Sequence, residues 1–180
     1  DWKNWKDKDI DPYVVPRPGH ADLVGTAKYD AKDIRLILER SSARETAMRC
    51  AIGAIAAQIL ENFDIHICGY VSGIGLLEYL YKGTDGIKNL QNKVTESSVS
   101  CPDDKISKEM ENEIKLARKK KDTLGGSITT IATGVPPTLG SFVHWDRKLD
   151  ANMARIFMSI QSVKAVEIGN GIEVSKNYGT

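Results

Sequence analysis

The run that follows Ser42 favours an α-helix more strongly than any other part of the sequence. Residues 47–59 are mostly alanine and isoleucine, with few charges. The spacing Ser42-x-x-Glu45 matches a capping box, in which two side chains accept hydrogen bonds from backbone N–H groups of the first turn. We therefore predict a helix from Ser42 to about Glu61. Small residues cover much of its circumference, so we expect neighbouring elements to approach closely and bury it on several sides.

Further helices and strands alternate along the rest of the chain. Their patterns predict helices at 30–38, 107–121 and 147–160, and strands at 65–71, 127–133 and 163–168. Residues 83–106 are rich in turn-forming types and are interpreted as a long surface loop, whereas Gly169-Asn170-Gly171 predicts a turn that opens a hairpin. Taken alone, this alternation would indicate a parallel α/β sheet.

Length, charge and cysteine content narrow the class of protein. A chain of 180 residues is long enough for one well-cored domain. It has 25 basic and 24 acidic residues, a net charge of +1, which argues against a partner that is a nucleic acid or an anionic membrane. The three cysteines are far apart and form no CxxC pair, which argues against a disulfide scaffold or a zinc site. With no signal peptide or long apolar run in the sequence, we expect a cytoplasmic protein.

The residues around the start of the alanine-rich helix suit an anion. Arg40 and Arg44 flank the hydroxyls of Ser41 and Ser42. Guanidinium groups, hydroxyls and the backbone N–H groups at the start of a helix all bind phosphate well. The alternative is that Ser42 only caps the helix and that both arginines are ordinary surface residues.

A second candidate is the histidine in the stretch Pro16-Arg17-Pro18-Gly19-His20. The prolines restrict the backbone on the approach to His20, and a histidine held in a rigid loop suits proton transfer near neutral pH. The alternative is a structural turn in which His20 is hydrogen-bonded to Asp22.

A third stretch, Ser159 to Lys164, places the polar residues Gln161 and Ser162 between a predicted helix and a predicted strand. Such a junction can hold the edge of a ligand or can be a plain turn. The sequence contains no GxxxxGK[ST], GxGxxG, HExxH or GxSxG motif. P-loop enzymes, dinucleotide-binding folds, zinc proteases and α/β-hydrolases therefore lose support.

Several long motifs resemble one family, the chorismate synthases. They occur in the family's order and at similar spacing, and with "DWKNW" at the start they span nearly all of the chain: "PRPGHADL" at 16–23, "RSSARETAMR" at 40–49, "ATGVPPTLGS" at 132–141, "VHWDRKLDA" at 143–151 and "MSIQSVKAVEIGNG" at 158–171.

The resemblance implies a reaction and a cofactor. In this family 5-enolpyruvylshikimate 3-phosphate loses phosphate and a ring proton in a 1,4-elimination that gives chorismate, in the biosynthesis of aromatic amino acids. Reduced FMN is required although no net redox change occurs, because the flavin lends electron density while phosphate leaves. Whether NADPH or an external supply reduces the flavin is left open by the sequence.

The resemblance also implies roles for residues at matching positions. His20 matches a histidine that donates a proton toward the reduced flavin, and Arg40, Ser41 and Ser42 match a flavin-binding Arg-Ser-Ser. Gln161 and Ser162 align with a flavin-contacting pair whose second member is usually Ala. Arg44 is our own candidate for binding an oxyanion of the substrate, because it lies one helical turn from Arg40. Asp30 and Ala165 stand where the family commonly has Gly.

The family has an α+β fold, a β-α-β sandwich in which long helices lie between antiparallel sheets, and it forms homotetramers. We follow this expectation rather than the parallel sheet, and treat residues 1–180 as a single domain. The family's chain is longer, with a Ser-His-Gly motif before this region and Lys-Pro-Thr and Arg-Ser-Asp motifs after it. The sequence is therefore expected to be a central fragment with little activity alone. The alternatives are a non-catalytic FMN- or phosphate-binding protein and a purely structural fragment.

Overall fold

A computed structural model describes residues 10–84 and 86–179. The "DWKNW" motif lies outside these residues. Six α-helices and three strands occur in the described chain, in this order: α1 (Asp22–Tyr29), α2 (Arg35–Ser41), α3 (Thr46–Glu61), β1 (His66–Ile74), β2 (Leu77–Glu78), α4 (Ile87–Glu96), α5 (Asp104–Lys119), β3 (Gly126–Thr133) and α6 (Leu149–Met158). Short 3-10 helices occupy Ala43–Glu45, Trp145–Arg147 and Gly171–Lys176.

The chain divides into two compact units. One unit runs from Gly53 to Ser141, and the other consists of the residues up to Ile52 together with those from Phe142 onward. The second of these contains every candidate site residue named above. The α+β class is confirmed, whereas the single-domain assignment stays a prediction.

The unit from Gly53 to Ser141 is built on a three-stranded sheet in the order β2-β1-β3. Both strand pairs are antiparallel, as the family resemblance implied and the local alternation of elements did not. The strands predicted at 65–71 and 127–133 correspond to β1 and β3. Their register is interrupted once, because Val71 pairs with Ile128 and Gly73 with Ser127, which leaves Ser72 as a bulge.

The core of this unit lies where α4 packs on β1. Tyr70 and Leu90 are buried together with Cys68, and the rings of Tyr79 and Tyr81 meet Tyr70 edge to face. The prediction of a long surface loop at 83–106 is wrong for α4. This helix forms because Ile87, Leu90 and Val94 recur at helical spacing and bury one stripe against the strand.

In the other unit, α1 and α2 pack closely. A Cβ atom added at Gly25 would collide with the side chain of Ile37, so glycine permits this approach. The helix predicted at 30–38 begins later, at Arg35, and an additional helix, α1, precedes it. The two are separate because α1 ends at Asp30 in the left-handed conformation (φ 49°, ψ 42°). Aspartate tolerates this conformation, and glycine tolerates it better, which explains why glycine suits position 30.

Two further expectations differ from the structure. Residues 163–168 form no strand, and Gly171–Lys176 is a 3-10 helix rather than part of a hairpin. A β-branched run becomes a strand only when another strand pairs with it, and the sheet of the described chain consists of β2, β1 and β3 alone. The alanine-rich helix α3 is present, but none of its residues is buried.

Among the described helices, none has the length and apolar character needed to cross a membrane.

Candidate functional site

The Arg40-Ser41-Ser42 stretch lies where α2 ends. Arg40 and Ser41 belong to the last turn of α2, and the Ser41 hydroxyl donates to the carbonyl of Ile37 at 2.8 Å. The expectation that all three residues lie at the start of the alanine-rich helix is therefore wrong for Arg40 and Ser41. The helical conformation persists through Ser41, and only Ser42 leaves it, with φ −65° and ψ 136°.

Ser42 caps the turn that leads into α3. Its hydroxyl oxygen accepts from the backbone N–H of Arg44 at 3.3 Å, and the 3-10 turn Ala43–Glu45 continues directly into α3 at Thr46. Half of the predicted capping box is thus present, since Ser42 caps but Glu45 bonds elsewhere. Arg44 is exposed within this turn, and the expectation that it lies one helical turn from Arg40 is wrong, because the extended Ser42 separates the turn from α2.

The side chain of Glu45 connects this turn with the segment after α6. Its Oε1 accepts from Nε2 of Gln161 at 2.9 Å and from Nε of Arg49 at 3.0 Å. Arg49 also donates to the hydroxyl of Ser159 at 2.9 Å and to the Ser159 carbonyl at 3.3 Å. We call these four residues, Glu45, Arg49, Ser159 and Gln161, the Glu45 network. The hydrogen bond from Gln161, and then the bond and charge of Arg49 and the charge of Arg40, hold the pKa of Glu45 below its usual value.

Only one end of the Gln161 side-chain amide has a hydrogen-bond partner. Its Oε1 is buried and has no hydrogen-bond partner among residues 10–84 and 86–179. A buried acceptor left without a donor costs about 1–3 kcal/mol. The next residue, Ser162, is exposed and has a left-handed backbone with φ 70°, which is uncommon for a residue other than glycine.

His20 lies in an exposed turn just before α1. The turn is closed by an ion pair in which Asp22, fully buried, accepts from Arg17 three times: from the backbone N at 3.0 Å, from Nε at 2.9 Å and from an Nη at 3.1 Å. These hydrogen bonds lower the pKa of Asp22 to about 2, against the opposing effect of burial. Both carboxylate oxygens are engaged by Arg17, so the alternative of an Asp22–His20 hydrogen bond is not what the structure shows. Gly19, with φ 70°, makes the turn that presents the imidazole.

The structure connects two of the candidate stretches directly. Glu45, which follows Arg44, accepts from Gln161, and the residue after Gln161 is Ser162. His20 lies in the turn before α1, and α1 packs through Gly25 and Ile37 on α2, the helix that ends at Ser41.

The charge of this region favours an anion. Residues 40–49 contain three arginines and one glutamate, an excess of two positive charges. The exposed guanidinium groups of Arg40 and Arg44 suit a phosphate, and the unpaired Gln161 oxygen suits a ligand that carries a hydrogen-bond donor. FMN has both features, a terminal phosphate and an imide N–H on its ring, so these residues fit it.

Fold and sequence together define a class: an α+β protein in which two exposed arginines, Arg40 and Arg44, flank a serine-capped turn. The model of the chorismate synthase family matches residues 1–180, so the chain belongs to that family.

Individual relatives agree with this assignment. The chain is 42% identical over 191 aligned residues to "Chorismate synthase" of Enterococcus faecalis, covering 100% of this chain and 49% of that protein. It is 46% identical to "Chorismate synthase" of Desulforamulus reducens, covering 95% of this chain and 46% of the relative. A solved structure, "Crystal Structure of Chorismate Synthase", superposes with a TM-score of 0.80 at 38% identity, over 88% of this chain and 50% of that one. The chain thus spans about half the length of the relatives it matches.

Sequence patterns alone do not indicate a site role for three residues. They predict Glu45 only as half of a capping box, and they predict no role for Arg49 or Arg17. The spacing of Arg49 four residues after Glu45 was a signal for their ion pair, at 3.0 Å in the structure. No local signal connected either residue with Ser159 or Gln161.

Proposed function

We propose that this chain provides part of a chorismate synthase active site, in which phosphate is eliminated from 5-enolpyruvylshikimate 3-phosphate to give chorismate in the presence of reduced FMN. The observation that supports this most directly is the hydrogen bond between Gln161 and Glu45. It joins two stretches to which the resemblance assigns flavin contacts, although 116 residues separate them in sequence.

In this proposal the arginines and Ser42 hold the anionic groups. Arg40 and Ser42 bind the flavin, and Arg44 binds an oxyanion of the substrate. Substrate and cofactor together bring two phosphates and two carboxylates into one site, so cationic groups are needed to offset their repulsion and desolvation. Ser41 contributes less than its position in the motif implies, because its hydroxyl is bonded to Ile37.

His20 holds the proton that is delivered toward the flavin. The Arg17–Asp22 pair and Gly19 fix the turn around it, so the imidazole is presented from a defined backbone rather than from a loose loop. A reduced flavin, when bound, supplies electron density to the substrate as phosphate leaves. The protein's own work is to orient the ligands, balance their charge and supply the proton.

Because the chain spans about half of its relatives, we propose that alone it binds FMN weakly and has at most residual turnover. We further propose a cytoplasmic location and, for the complete assembly, a homotetramer. The test is an anaerobic assay of phosphate release from 5-enolpyruvylshikimate 3-phosphate. FMN is reduced chemically, so that the result does not depend on reduction by NADPH. Robust turnover by this polypeptide would contradict the expectation of residual activity.

The alternatives are a non-catalytic FMN- or phosphate-binding protein and a structural fragment without a ligand. An FMN titration separates them, because a ligand that binds the folded state quenches or shifts flavin fluorescence and raises the melting temperature. The wild type is compared with Arg40→Met, and Arg155→Met on α6 is the matched control. Binding that Arg40→Met weakens and the control preserves supports the proposed site, whereas the absence of any FMN effect favours the structural alternative.

A further inference from the structure

The carboxylate of Glu45 determines which way the amide of Gln161 faces. An ionised carboxylate only accepts hydrogen bonds, and an amide has a donor end and an acceptor end. The group that lies 2.9 Å from Glu45 Oε1 must therefore be the NH₂ of Gln161. With Nε2 held there, the carbonyl Oε1 is turned to the opposite side.

Glu45 is itself held in place. Arg49 donates Nε to the same carboxylate, and its remaining N–H groups reach the hydroxyl and carbonyl of Ser159. Ser159 and Gln161 lie on the same short segment after α6, so hydrogen bonds from the Glu45 network hold this segment at two residues. In the described part of the chain the amide itself makes one hydrogen bond, to the carboxylate that Arg49 holds in place, and a rotation about one torsion of Gln161 would lose it.

The carbonyl end of the amide has nothing to bind. Gln161 Oε1 is buried and without a partner in the described part of the chain. A buried acceptor that lacks a donor is unfavourable, so an orientation that leaves one unsatisfied calls for an explanation. A ligand that brings an N–H or O–H donor to this oxygen removes the penalty.

We propose that Glu45 is a positioning residue that holds the Gln161 amide with its carbonyl toward the ligand, so that this site selects a hydrogen-bond donor, the imide N–H of the flavin ring, at that point. This inference rests on the proposed function for the identity of the ligand. It adds to that function a residue that does not contact the flavin, and it states which kind of group the flavin must present.

The first arm of the test needs no ligand. The side-chain amide of Gln161 is observed by ¹⁵N NMR in the wild type, in Glu45→Gln and in the control Glu39→Gln, which neutralises an exposed carboxylate on α2. Glutamine at position 45 has nearly the same shape but can face Gln161 with either end of its amide. We expect the Gln161 resonances to move in Glu45→Gln and to stay unchanged in Glu39→Gln. Identical resonances in all three proteins would overturn the proposal.

The second arm measures the ligand preference. FMN and FMN methylated at the imide nitrogen are titrated against the same three proteins, with fluorescence as the readout. Loss of one hydrogen bond predicts that methylation weakens binding to the wild type and to Glu39→Gln about 5–10-fold. In Glu45→Gln the two flavins should differ less than about 2-fold, because the amide no longer has a fixed acceptor end.

The outcomes distinguish failure of the positioning role of Glu45 from failure of the proposed function. If FMN binds and methylation has no effect on the wild type, the positioning proposal is wrong while the proposed function stands. If FMN does not bind the wild type at all, the proposed function fails and with it the choice of flavin as ligand. The NMR arm then still decides whether Glu45 orients Gln161.

Discussion

The side chains of Gln161 and Glu45 meet at 2.9 Å, although 116 positions separate them in the sequence. Glu45 closes the turn that begins at Ser42, and Gln161 lies in the segment after α6. This hydrogen bond joins two stretches that are unconnected in the sequence. The geometry of the candidate site therefore depends on tertiary contacts within this unit rather than on either helix alone.

Replacement of Arg49 should loosen the segment after α6. Arg49→Met removes the ion pair with Glu45 and both hydrogen bonds to Ser159. Because these side chains are partly exposed, we expect the free energy of unfolding to fall by only about 1 kcal/mol. Urea denaturation measures this, and hydrogen exchange should quicken locally at residues 159–163. Arg155→Met is the control, and equal effects of the two substitutions would mean that the network does not hold this segment.

Replacement of either arginine proposed to bind an anion should weaken ligand binding, whereas replacement of an arginine elsewhere should not. Arg40→Met should weaken FMN binding, and Arg44→Met should weaken binding of the phosphorylated substrate to the FMN complex, each by about 10-fold or more, because hydrogen bonds to a charged group are worth about 1.5–3 kcal/mol. Fluorescence titration gives the affinities. Arg118→Met, on α5 of the other unit, should leave them unchanged. A comparable loss in that variant would point to general charge attraction instead of a site.

Acidification should destabilise the turn around His20. The hydrogen bonds from Arg17 lower the pKa of Asp22 to about 2, and those from Arg35 do the same for Asp33. A depressed carboxyl pKa stabilises the folded state above the unfolded pKa of about 3.9, and this contribution is lost as the pH falls toward 2. Between these values unfolding takes up protons.

The pH dependence can be measured by urea denaturation from pH 5 to 2. Asp22→Asn and Asp33→Asn should each reduce proton uptake on unfolding by up to about one proton and so flatten the pH dependence. Asp104→Asn, on an exposed position of α5, is the control. An unchanged slope in Asp22→Asn would contradict a strongly ionised Asp22.

Position 30 offers a stabilising substitution. Asp30 ends α1 with φ 49°, a left-handed conformation that costs a residue with a Cβ atom more than it costs glycine. Asp30→Gly should therefore stabilise the protein by about 0.5–1 kcal/mol, measured from the urea midpoint. Asp30→Ala should destabilise it, because alanine retains the Cβ atom and lacks the polar side chain that eases this conformation. If both variants behave alike, the backbone conformation at position 30 is not the cause.

Truncation of Leu90 should strongly destabilise the core of the unit from Gly53 to Ser141. This side chain is 1% exposed and packs with Cys68 and Tyr70. Leu90→Ala removes buried methyl groups and leaves a cavity, which should lower the free energy of unfolding by about 2–5 kcal/mol. Lys88→Ala, on the exposed side of the same helix, should change it by less than about 0.5 kcal/mol. A small effect of Leu90→Ala would show that α4 does not pack on β1 as described.

Local sequence patterns predicted a helix correctly where short-range interactions favour it, and predicted a strand correctly where a second strand is present to pair with it. The alanine-rich run predicted α3, and the β-branched runs predicted β1 and β3, which pair with each other. At α4 the surrounding glycines and asparagines obscured the apolar spacing of Ile87, Leu90 and Val94. At 163–168 the sequence favoured a strand, but propensity does not supply the missing partner.

The site was predictable only in its parts. The resemblance identified His20, the stretch from Arg40 to Ser42 and the pair Gln161–Ser162, and these assignments stay predictions. The contacts that organise them could not be predicted, because Glu45 is also a good capping residue and no local pattern favours Gln161 as its partner. Likewise, both Arg17 and His20 were close enough in sequence to donate a hydrogen bond to the Asp22 carboxylate. The conformation of the turn decides that Arg17 is the donor.

The bulge at Ser72 has a consequence for how this family can vary in length. A strand alternates its side chains between two faces, so one additional residue exchanges the faces for everything beyond it. Tyr70 and Gly73 are both buried, three positions apart, only because Ser72 is inserted between them. Deletion of Ser72 would restore a regular ladder and leave Gly73 and Ile74 on the faces that their pairing with Ser127 and Gly126 gives them now. The bulge thus absorbs one residue, whereas we expect a single insertion or deletion elsewhere in β1 to exchange the faces beyond it.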